Sequence, residues 1–170
     1  MKEHTGMRPH DVVVLFGVLL QKNNEWYMKD LATKLLLSQS EISESLHRSM
    51  QVQLIDHQKK MVQRLNLKDF LFHGLKFVFP AIQGTIERGI PTGISSTPFQ
   101  DQVQTKIPMV WAHHQGQIEG VSITPLYQKL PDACQKWDKL HHILSAVDLI
   151  RLNKSSREVN IAKEFLAQVL

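Results

Sequence analysis

A serine followed three residues later by a glutamate, directly ahead of an apolar stripe, is the local signal that most restricts how this chain can fold. Ser38 precedes Glu41, and Ile42, Leu46 and Met50 then recur at i, i+4 and i+8. A serine hydroxyl there accepts from the third helical amide while the glutamate returns to the cap amide, so the pattern predicts a helix opening at Ser38 with one apolar face. Two earlier segments lead into it. From Pro9, a residue tolerated in a first turn, Val12, Phe16 and Leu19 repeat at helical spacing with Leu15 and Leu20 beside them. Lys22-Asn23-Asn24-Glu25 breaks that helix, and Met28, Leu31, Ala32 and Leu35 form the stripe of a second.

The polar side of the third helix carries Gln39, Ser40, Ser43, Glu44, His47 and Arg48. Short hydrogen-bonding side chains followed by an arginine can approach base edges and phosphates in a major groove. Gln51-Val52-Gln53-Leu54-Ile55 is then expected to leave the helix and become a strand. Residues 56–64 follow, the densest basic stretch of the chain, with Lys59, Lys60 and Arg64 available to neutralise phosphates.

The run WYMKDLATKLLLSQSEISESLHRSMQVQLID, residues 26–56, resembles the central unit of MarR-like winged helix-turn-helix regulators. An aromatic strand residue, a D-L-A helix, an L-S-Q-S turn and a recognition helix follow in that order, and the helix from about Pro9 extends the likeness. The resemblance implies a winged helix-turn-helix DNA-binding domain over residues 1–66 and a homodimeric transcriptional regulator. Its third helix would lie in the major groove of double-stranded DNA, with Gln39, Ser40, Ser43 and His47 near base edges and Arg48, Lys59, Lys60 and Arg64 on phosphate. Glu44 departs from this pattern, because an acid on a reading face repels phosphate unless it accepts from a cytosine amino group.

Residues 67–170 read as a C-terminal extension for packing and dimerisation, so the fold class expected is α+β, mainly α. Leu67, Phe70, Leu71 and Leu75 predict a short helix over residues 67–79. Glycines and prolines then punctuate an irregular stretch to Ile107, in which Gly84-Thr85-Ile86-Glu87-Arg88-Gly89 reads as a turn, with Arg88 holding an internal carboxylate or an anion. Met109-Val110-Trp111 and Val121-Ser122-Ile123 flank a glycine-containing connection and predict a β-hairpin. Glu119 is the only ionised side chain from Val110 through Thr124, which favours packing over a second DNA-contacting wing. A helix from Asp132 carries Ala133, Trp137, Leu140, Leu144 and Val147. A second Ser/Glu pair, Ser155 and Glu158, opens a final helix whose Ile161, Ala162, Phe165, Leu166 and Val169 either cover their own domain or pair with a second copy. The phrases FLFHGLKFVFPA, GTIERGIPTG, GQIEGVSITPLY and RLNKSSREVNIAKEFL resemble, in order, an uncharacterised proteobacterial group of small winged-helix proteins, extending the likeness over nearly the whole chain.

Charge decides little by itself, because basic against acidic residues number 9 to 7, 5 to 4 and 6 to 5 over residues 1–66, 67–130 and 131–170. One cysteine, Cys134, excludes an internal disulfide and points to a reducing, cytoplasmic setting with a packed thiol. Val12–Leu20 is too short to span a bilayer, so no membrane association is expected. Nine histidines invite a test for metal or acid–base chemistry. His113-His114 and His141-His142 are neighbours whose side chains are expected to point apart, and neither HExxH nor a phosphate loop occurs. No cofactor, metal or catalytic centre is expected. The competing function is a protein-binding module, such as an antitoxin-like partner of a separately encoded enzyme.

Overall fold

The computed structural model describes residues 6–21 and 25–170, so the break expected at Lys22-Asn23-Asn24 lies outside the described residues. The chain is α+β, about 52% helical with one small three-stranded sheet. It divides into two compact units, residues 1–67 with 126–133 and residues 68–125 with 134–170. The segment 126–133, expected in the C-terminal extension, thus belongs to the first unit. Among the described residues no helix is long and apolar enough to cross a membrane.

The first unit is built on α1 (Pro9–Leu19), α2 (Met28–Leu35) and α3 (Gln39–Gln51). Every residue from Asp11 to Val18 is buried. A helix apolar on all sides belongs inside a core, so α1 is the central element of this unit rather than a one-faced surface helix. Gly17 lets α2 approach it: a Cβ there would stand 2.8 Å from Leu31 Cδ1 and 3.2 Å from Leu35 Cδ1. Leu36 closes α2 in the left-handed region, φ 54°, and the Leu37 amide donates to the Ala32 carbonyl at 3.1 Å. Tyr127, on the returning segment, donates its hydroxyl to the Leu35 carbonyl at 2.8 Å, satisfying an acceptor at the end of α2. The Ser38/Glu41 box opens α3, with Glu41 N–H donating to Ser38 Oγ at 3.1 Å and Ser38 N–H donating to Glu41 Oε2 at 2.8 Å.

Beyond α3 the expected strand at Gln51–Ile55 does not form. The helix runs through Gln51, and a single antiparallel bridge joins Ile55 to Val62. Asp56 N–H to Met61 O and Gln63 N–H to Leu54 O, both 2.9 Å, flank that bridge and close a short β-turn loop.

The helix expected at 67–79 is instead α4 (Arg64–Asp69), which runs across the boundary at residue 67, followed in the second unit by a π-helical turn (Phe70–Gly74) and α5 (Leu75–Val78). The segment read as a turn is β1 (Gln83–Pro91), the longest strand. The expected hairpin is also replaced: β2 (Met109–Ala112) and β3 (Ile118–Ile123) both pair antiparallel with β1 and run parallel to each other through Met109↔Val121 and Val110↔Ser122. β3 takes the N-terminal part of β1 and β2 its C-terminal end, so the three strands close on themselves. Closure needs backbone against backbone. A Cβ at Gly89 would meet the Trp111 carbonyl, and one at Gly120 the Pro108 carbonyl. The glycines that look like turn markers are contacts between strands.

The helix expected from Asp132 is split into α6 (Leu130–Cys134) and α7 (Asp138–Leu152), with Trp137 in non-helical backbone (φ −144°, ψ 72°) as the cap of α7. α7 is buried from Ile143 through Arg151. Packed on it is α8 (Ser156–Val169), which buries Ala162 and Leu166 and sets the Phe165 ring edge-on to Phe99 at 5.1 Å. Its apolar side is therefore used within the unit. Only the first half of the Ser155/Glu158 box forms, Glu158 N–H donating to Ser155 Oγ at 3.2 Å.

Overpacking against backbone that cannot yield costs ~1–3 kcal/mol or more. Gly89→Ala should therefore lower unfolding free energy by about 3 kcal/mol in urea titration. Gly74→Ala, where the nearest atom is a movable Phe70 ring carbon at 3.2 Å, should stay within ~1 kcal/mol of the parent, helix propensity offsetting the crowding. Equal effects would contradict the closed sheet.

Candidate functional site

α3 has two chemically distinct sides. Gln39, Ser40, Ser43, Glu44 and His47 are exposed, whereas Ile42, Ser45, Leu46, Arg48 and Ser49 are buried. The structure thus brings five of the six expected helix residues onto one solvent face and turns the sixth inward.

Arg48 corrects the expectation of a phosphate contact. Its Nε donates to Asp11 Oδ2 at 2.9 Å and its Nη2 to Asp11 Oδ1 at 2.7 Å, with the two side chains only 8% and 0% exposed. Asp11 Oδ2 also accepts from the Arg8 amide at 2.8 Å, so one carboxylate ties the start of α1 to the last turn of α3. His10 Nε2 lies 3.2 Å from Arg48 Nη2. A planar guanidinium held in two parallel bonds fixes rotation as well as distance, which a lysine in its place would not. Glu44, at 60% exposure, stands 3.7 Å from Arg48 Nη1, so part of its charge on the exposed face is answered from within.

The loop after α3 is shaped by Asp56, whose Oδ1 accepts from the amides of Lys60 at 2.7 Å and Met61 at 2.9 Å. Lys59 sits at its bend with φ 57°. Lys60 is engaged: its Nζ donates to the Trp26 carbonyl at 2.9 Å and stands 4.5 Å from the centre of the Trp26 ring, while Trp26 Nε1 donates to the Lys60 carbonyl at 3.3 Å. That exchange braces the loop against the segment ahead of α2. Arg64 opens α4 and is exposed. The Trp26–Lys60 pair was not anticipated, and only the position of Trp26 just before the second helix hints at it.

The second unit holds its own buried cluster. Asp148, on α7, accepts from Trp111 Nε1 at 2.7 Å and Thr92 Oγ1 at 2.8 Å through Oδ2, and from Arg151 at 2.6 Å through Oδ1. Arg151 also donates to the carbonyls of Phe79 at 2.9 Å and Thr124 at 3.0 Å. Burial pushes the Asp148 carboxyl above its ordinary range, opposed by Arg151 and by those hydrogen bonds. Both carboxylate oxygens of Asp148 and the Nε and Nη1 of Arg151 are bonded within the unit, as a structural brace requires. The signal for it was an acid and a base three apart, Asp148 and Arg151, in the otherwise mostly apolar run 143–152.

His113 and His114, expected to point apart, have ring centres 4.6 Å apart. Among the described residues no group of three or more His, Cys, Asp or Glu is placed to hold a metal. Arg88, expected to hold a carboxylate or an anion, is exposed on β1 opposite Glu119. Cys134 is buried, and burial pushes its thiol well above the ordinary value, which disfavours the nucleophilic thiolate. No family model, no curated protein and no solved structure matches the chain.

Breaking one side of a buried ion pair costs ~3–5 kcal/mol because the remaining charge is stranded. Arg48→Ala should therefore lower chemical-denaturation stability by about that amount, and Asp11→Leu with Arg48→Met should recover much of it. A phosphate-contacting Arg48 predicts no stability change. Burial lowers the His10 pKa below 6.5, against the attraction of Asp11. The neutral imidazole thus contributes stability that is complete above pH 6.5 and is lost as pH falls through the lower folded value. Between pH 7 and 5, wild type should lose stability more steeply than His10→Gln. Parallel curves would show that His10 does not titrate against Arg48.

Proposed function

We propose that this protein is a sequence-specific DNA-binding transcriptional regulator of the winged-helix type, working as a homodimer in the cytoplasm. The supporting observation is the division of α3: an exposed row of Gln39, Ser40, Ser43, Glu44 and His47 on a helix whose other side is held by the core and by the Asp11–Arg48 pair. Amide, hydroxyl and imidazole groups reach base edges only from a helix whose rotation is set. The loop closed by Ile55↔Val62, with Lys59 at its bend, supplies the short wing, and Lys59 and Arg64 are its phosphate contacts. Lys60 braces the wing through Trp26 and contributes charge from there. Glu44 accepts from a cytosine amino group in the groove.

One observation favours a second reading, a protein-binding module such as an antitoxin-like partner of a separately encoded enzyme. Tyr27, Val52, Met61 and Leu65, all in the first unit, are between 48% and 77% exposed, and large apolar side chains in water mark contact surfaces when they cluster.

Salt dependence separates the two. With two contacts per protomer, Lys59→Ala plus Arg64→Ala in a dimer should flatten the slope of log affinity against log salt by about 3–4 units at ~0.9 per contact, and weaken all sequences alike. Gln39→Ala plus Ser43→Ala should cost ~1–3 kcal/mol per lost base contact on a preferred site only, with stability nearly unchanged. Fluorescence anisotropy on preferred and scrambled duplexes reads both. An unchanged slope together with indifference to the Gln39/Ser43 change would favour the protein-binding module.

A further inference from the structure

The second unit contains an open cleft of about 250 Å³ whose lining is divided by chemistry. Lys106, Lys154 and Gln83 bring two ammonium groups and an amide, and no carboxylate lines it. Ile107, Met109 and Val121 form the apolar part. Thr105 is also present, but its hydroxyl is donated to the Ile107 carbonyl at 2.7 Å. Val121 is the cross-strand partner of Ile86 in the β1–β3 register, and paired residues of adjacent strands share a face. Ile86 and Ile107 are 55% and 50% exposed, so an apolar strip leads out of the cleft along the sheet.

We infer that this cleft binds a short-chain aliphatic carboxylate, its head between Lys106 and Lys154 and its chain along Ile107, Met109, Val121 and Ile86. Two cations without a lining acid select a negative head. The absence of an aromatic side chain from the lining selects an aliphatic body over a stacked ring. A volume of about 250 Å³, below the ~300–1,000 Å³ of sites for larger ligands, favours a small molecule. Lysine suits this task, since its rotatable ammonium follows a mobile head group without the fixed fork an arginine imposes.

The test is an NMR amide-shift titration of the full chain, without DNA, using hexanoate, hexanamide and inorganic phosphate as probes. Because no DNA is present, the outcome is independent of the regulator reading. Hexanoate should saturate, with shifts concentrated at residues 105–109, 121 and 154. Exposed charge pairs are worth up to about fivefold in affinity each, so hexanamide and the Lys106→Ala/Lys154→Ala double variant should each bind about tenfold more weakly or worse. Ile107→Ala should also weaken hexanoate, and unchanged melting temperatures should show that the variants remain folded. Equal affinity for hexanamide overturns the charged head, equal affinity for phosphate overturns the apolar chain, and an unsaturable response or an unaffected double variant overturns the site.

Discussion

The carboxylate of Asp11 is the point on which the first unit turns. It sits at 0% exposure, receives an amide from its own helix start and both donor arms of Arg48, and so fixes α3 against α1 in angle as well as in separation. Burial of Ile42 and Leu46 already holds one side of α3 inward, and the bidentate pair adds hydrogen bonds of fixed direction. Removing two charges from water is costly, and a well-shaped apolar replacement often matches or exceeds the stability of such a pair. What the pair adds is a directional tie between α1 and α3, beside the apolar burial of Ile42 and Leu46 that also sets which residues of α3 face outward.

The second unit solves a comparable problem with Asp148 and Arg151. Here the carboxylate joins α7 to Thr92 and to Trp111 of β2, while the guanidinium takes the carbonyls of Phe79 and Thr124. Short strands that close through two parallel bridges offer few ladder bonds, and the buried cluster supplies long-range bonds in their place. His141, whose Nε2 lies 2.7 Å from the Pro91 carbonyl and whose ring is 5.2 Å from that of Trp111, extends the same set.

Helices in the first unit were legible because each carries its own local code: a Ser/Glu box for α3, a 3.6-residue stripe for α2, a proline start for α1. The inward turn of Arg48 was not, because it stands beside Glu44 and His47 in the polar row and only its pairing with Asp11 of α1 makes it interior. An acid directly ahead of the apolar run of α1 was the available clue, since Asp11 beside Val12–Leu20 is placed to be buried and then needs a partner. β1 failed for a different reason. Its glycines read locally as breakers, and their purpose, close approach to Trp111 and its neighbours, exists only once residues twenty positions away have arrived. The β2–β3 pairing was equally hidden, because a glycine-containing link between two apolar runs matches a hairpin and register with β1 cannot be seen from either run alone.

On the proposed reading, the protein is a small regulator in which a buried ion pair ties the candidate reading helix to α1, while a separate unit carries a compact sheet and a buried helix. The most direct measurement of that account is selection of duplexes from a random pool by the full-length protein, followed by sequencing. A rotationally fixed α3 in a two-fold dimer predicts enrichment of an inverted repeat with half-sites roughly 10–10.5 base pairs apart, or a multiple of that spacing, centre to centre. A pool whose composition is unchanged after successive rounds would contradict it.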